Sequence, residues 1–134
     1  RRIRGAGSTL AGARMLTTEW ADSTGGVHEM FATSASAPVS AYALRRPDRH
    51  WSVLLINKDS SRSVRVRLRF ASGTAMRGPV ELVQWGDAQY HWHAAGARGH
   101  ADPNSPPRTT LLREIAPVVL PPYSLTVVRE KLPP

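Results

Sequence analysis

The 134-residue chain predicts an all-β fold: an antiparallel β-sandwich of about eight strands, preceded by a short N-terminal helix. Three observations carry that expectation. After Gly26 the sequence breaks into short apolar stretches separated by Gly, Pro, Asp, Asn and Ser, the pattern of strands joined by turns. Within 62–70, Val64, Val66, Leu68 and Phe70 alternate with Arg65, Arg67 and Arg69, giving a strand one apolar face and one cationic, solvated face. Within 51–56 that alternation is lost, because Val53 and Leu55 point one way and Leu54 and Ile56 the other. Such a strand lies inside a sheet covered on both faces.

The elements follow in order. Residues 8–20 carry Leu10, Ala13, Thr17 and Trp20 at three- and four-residue spacing, with Ser8 as a cap and Gly25-Gly26 as a stop, and predict the helix. Gly12 and the paired threonines Thr17-Thr18 weaken its intrinsic propensity. Strands are predicted over 27–33, 39–46 and 51–57, the last two forming a hairpin through Arg46-Pro47-Asp48-Arg49-His50, where Pro fixes φ and Asp offers a side-chain cap. Residues 58–61 turn into the arginine strand 62–70. Further strands are predicted over 80–85, 89–93, 111–115 and 124–129. Covering Leu54 and Ile56 stabilises the fold by about 1.5–3 kcal/mol each, so the second face of 51–56 needs a partner. The helix, a long loop and a domain outside the chain are the candidates.

Composition narrows the function classes. The absence of cysteine excludes disulfides and thiolate metal sites. No apolar run approaches the roughly 20 residues that span a bilayer, and no membrane partner is expected. The formal net charge of +8 raises anionic partners. The arginines are scattered along strands and loops, without interleaved aromatics on the cationic face or a nucleic-acid fold signature, so nucleic acid is disfavoured.

Two phrases carry a family resemblance. They are the hairpin 39–59, with Tyr42-Ala43-Leu44, Trp51 and Leu54-Leu55-Ile56-Asn57-Lys58-Asp59, and the terminal Leu120-Pro121-Pro122-Tyr123-Ser124-Leu125-Thr126-Val127-Val128. Together they resemble the closing β-sandwich of barrel-plus-sandwich glycoside hydrolases, the group that includes β-xylosidases, arabinofuranosidases and glucuronidases. The resemblance covers 27–130 and contains no catalytic motif. It implies that residues 1–26 end a catalytic barrel domain lying upstream, that 27–134 form the sandwich, and that the parent enzyme hydrolyses polysaccharide outside the cytoplasm, secreted or periplasmic, with no cofactor. The family's catalytic glutamates lie on barrel strands, and no segment here is similar to those strands.

The stretch 86–107 is long for a compact domain, which points to a function, an interface or disorder. Trp85, Tyr90 and Trp92 can form a stacking platform for sugar rings, with Asp87, Gln89 and Asn104 bonding hydroxyls. The same aromatics can instead seal a junction with a neighbouring domain, and this is the preferred reading. His91 and His93, with His100 or Asp102, have spacing compatible with a metal, but nothing in regular structure supplies the remaining ligands and none is expected. Glycoside hydrolysis needs paired carboxyl groups, and no two of the ten acidic residues are tied together by motif or spacing. Neither a G-x-S-x-G elbow nor a phosphate-cradling loop is present. The expected function is therefore a non-catalytic sandwich bracing a barrel and lending a loop to the edge of its substrate cleft. The alternatives are a carbohydrate-binding module and a basic interaction domain for anionic polymers.

Overall fold

The computed structural model describes residues 12–22, 25–71, 76, 79–102, 105–113 and 117–131. The fold is mostly β and sandwich-like. Among the described residues there are ten strands: β1 (Glu29–Phe31), β2 (Val39–Arg45), β3 (His50–Asn57), β4 (Val64–Val66), β5 (Val80–Trp85), β6 (Trp92–His93), β7 (His100–Ala101), β8 (Arg108–Leu112), β9 (Val118–Leu120) and β10 (Ser124–Lys131). Six form one antiparallel sheet in the order β1-β2-β3-β10-β5-β8, while β4 pairs with β9 and β6 with β7. The hairpin, β5 and β10 lie where the apolar patterns place them. The predicted first strand contracts to a short exposed edge strand, and 89–93 to Trp92–His93, because residues 86–89 are spent in a turn. The cationic strand pairs only over Val64–Val66, yet its alternation persists to Phe70, with every arginine exposed and every apolar residue partly buried.

The two faces of the main sheet have different covers. On one, Val39, Val53, Leu55, Val80 and Val128 pack against Val118 and Leu120 of β9, with Val64, Val66, Leu68 and Phe70 adding the rest of the second layer. On the other, Leu54, Val83 and Val127 pack against Met15, with Trp20, Ile56, Trp85 and Leu125 at the margin. Met15 and Trp20 belong to the helical segment 12–20, so the cover that Leu54 requires comes from the N-terminal helix. The part of the predicted helix over 8–11 lies outside the described residues.

That helical segment is held at its C-terminal end. Its last six residues, Met15–Trp20, form a wide π-type turn closed by Ala21 N–H donating to Leu16 O at 3.0 Å. The final carbonyls of a helix have no partner within it. Here Glu19 O accepts from Arg46 Nη1 at 2.8 Å and from Arg129 Nη1 at 3.1 Å, and Trp20 O accepts from Ser52 Oγ at 2.6 Å. Cationic donors at that end also complement the helix dipole. Arg46 is aimed by Asp48, whose Oδ1 and Oδ2 accept from Nε and Nη2 at 3.0 and 2.6 Å. Asp48 thus clamps a guanidinium, where the turn pattern alone suggests a backbone cap.

Candidate functional site

The two phrases that carry the family resemblance meet in space. Ser124 of β10 is the register partner of Asn57 at the end of β3. The Asn57 side chain is 1% exposed, and its Nδ2 donates to Arg62 O, Leu120 O and Pro121 O at 2.9, 3.1 and 3.0 Å. Its Oδ1 accepts from Asp59 N–H at 3.0 Å. Asp59 then closes the following turn, its Oδ1 accepting from the N–H groups of Ser61 and Arg62 at 2.9 and 2.8 Å, while its carbonyl accepts from Tyr123 N–H. Those backbone donors hold the Asp59 carboxyl below its ordinary range. One asparagine and one aspartate therefore knit β3, the approach to β4 and the β9–β10 turn. The junction is structural, and the adjacent Asn57-Lys58-Asp59 in sequence gives no sign of its long-range partners.

The aromatic region starts at the end of β5. Gly86 lies so close to Ser124 that an added Cβ would meet the Ser124 Cβ at 3.1 Å, which favours glycine at this close approach. Gly86 O accepts from the N–H groups of Gln89 and Tyr90, both at 2.9 Å, and Gln89 Oε1 accepts from Gly86 N–H at 2.9 Å. This tight turn folds Tyr90 back onto Trp85, with ring centroids 5.6 Å apart and planes inclined by 24°. The outer edge of the Trp85 six-membered ring approaches the helical segment, where a Cβ on Gly12 would lie 3.3 Å away. Trp85 thus fills the seam between sheet and helix, and Tyr90 stacks on it.

Trp92 has a different setting. It lies on the β6–β7 hairpin, against Gly99, and remains 56% exposed. Among the described residues it joins no aromatic ring pair, so the structure brings Trp85 and Tyr90 together and leaves Trp92 outside their stack. Asp87 is occupied by His91, whose Nδ1 lies 2.5 Å from Asp87 Oδ1, and Gln89 by its own turn. Asn104 lies outside the described residues.

Three of the five histidines, His91, His93 and His100, cluster around the same hairpin. His93 packs edge-on to His91 at 5.0 Å and stacks on His100 at 5.1 Å, and its Nε2 lies 2.5 Å from Asp102 Oδ1. The Asp87 carboxylate raises the His91 pKa above its ordinary value, and His93 holds Asp102 below its own. Among the described residues no group of three or more His, Asp or Glu side chains is arranged to hold a metal ion.

A carboxylate arrangement that sequence spacing did not reveal lies on the helix-covered face. Arg129 Nη1 donates to Glu19 Oε2 at 2.9 Å, and Arg129 Nη2 pairs with Glu81 Oε2. The guanidinium occupies the space between these two carboxylates, so the pair is a brace and not a glycosidase cleft. The 110-residue separation of Glu19 and Arg129 hides it from sequence reading.

Compared with protein-family models, curated proteins and solved structures, the chain matches none. Among the described residues no helix is long and apolar enough to cross a membrane.

Proposed function

We propose that the chain is a non-catalytic accessory β-sandwich of a glycoside hydrolase, which braces the catalytic barrel upstream of it and lends the 86–107 region to the edge of its substrate cleft. By the same resemblance, the parent enzyme acts outside the cytoplasm on polysaccharide. The observation that carries the brace is the docking of residues 12–20. A segment entering the sandwich from a preceding domain is fixed by Met15 packing and by three side-chain donors, Ser52 and Arg129 from the sheet and Arg46 from the β2–β3 turn, so that the two parts move together.

A partly exposed apolar strip beside that segment supports the same reading. Met30 and Tyr42 share the helix-covered face of the sheet and remain 60% and 45% exposed, and Tyr42 meets Trp20 edge-on at 6.3 Å. Leu16, on the outer side of the helical segment, is 41% exposed. Exposed apolar surface of this kind suits an interface with a neighbouring domain. The test compares melting of the isolated chain with melting of the same chain continuous with its upstream domain. Burial of the strip predicts a higher Tm and less self-association in the longer protein, and Met30→Ser with Tyr42→Ser should remove the difference. An upstream domain without a (β/α)₈ pattern, or one that leaves the Tm unchanged, would contradict the proposal.

A further inference from the structure

We draw no further inference here: the strongest candidate, the apolar cleft walled by Phe31, Trp51 and Phe70 between the second layer and the β1–β2 edge of the main sheet, carries none, because nothing in the structure shows what covers or occupies it.

Discussion

Arg129 donates from one Nη1 to both the side chain and the backbone carbonyl of Glu19, at 2.9 and 3.1 Å, joining β10 to the N-terminal helical segment. Its other Nη holds Glu81 of β5. Arg129→Ala removes these bonds and leaves two partly exposed carboxylates facing each other. The expected loss is about 2–3 kcal/mol by urea denaturation. Arg129→Lys should recover only part of it, since an ammonium cannot reproduce the fork. A loss below about 0.5 kcal/mol would mean that the helical segment is not held this way.

The Asn57 junction is expected to be costlier to break than any exposed residue. Asn57→Leu keeps the volume close but strips partners from the carbonyls of Arg62, Leu120 and Pro121. Destabilisation of about 2–4 kcal/mol should follow. Hydrogen exchange should then speed up together at 57–62 and 120–124, and acceleration confined to one of these segments would contradict the coupling.

Leu54 and Leu55 are each 2% exposed although they point to opposite faces. Leu54→Ala should therefore cost about 2–4 kcal/mol, and Leu55→Asp should unfold the chain by burying an unpaired charge. Arg67→Ala, on the exposed row, should change stability by less than about 0.5 kcal/mol. A thermal melt of the three variants checks the register. Equal losses would mean that the faces are misassigned.

The β6–β7 hairpin should respond to pH from both sides. The Asp87 carboxylate raises the His91 pKa above 6.5, so the stabilisation it gives is full below that value and is lost as pH rises through the raised folded pKa. His93 lowers the Asp102 pKa below 3.8, so that contribution is present above 3.8 and is lost as pH falls through the lowered folded pKa. Amide protection in the hairpin is thus greatest between 3.8 and 6.5, the ordinary values of the two groups. Asp87→Asn should return the His91 titration midpoint toward 6.5 in an NMR titration, and an unchanged midpoint would exclude this pair.

The fold was legible wherever apolar periodicity was strong. Val80–Trp85, the hairpin and β10 follow directly from it, and the doubly apolar Leu54–Leu55 pair correctly demanded a second cover. Short elements were less legible. β7 and β9 are two- and three-residue strands defined by their partners, and Val118–Leu120 reads in sequence as the approach to a proline turn. The aromatic region was legible as composition but not as geometry, because the Gly86–Gln89 turn reverses the chain and returns Tyr90 to Trp85 while Trp92 continues into the hairpin. The Glu19–Arg129–Glu81 brace and the Asn57 junction join residues distant in sequence, which local spacing cannot reveal.

The bracing role is tested most directly by calorimetric titration of the isolated chain with xylan, glucan and uronic-acid polymers. With Trp85 committed to the helix seam and Tyr90 stacked on it, the account predicts no saturable polysaccharide binding and no effect of Trp92→Ala on the titration. Saturable binding that Trp92→Ala weakens by about 1 kcal/mol or more, as expected when an aromatic stacking surface is removed, would contradict it and make the domain a carbohydrate-binding module.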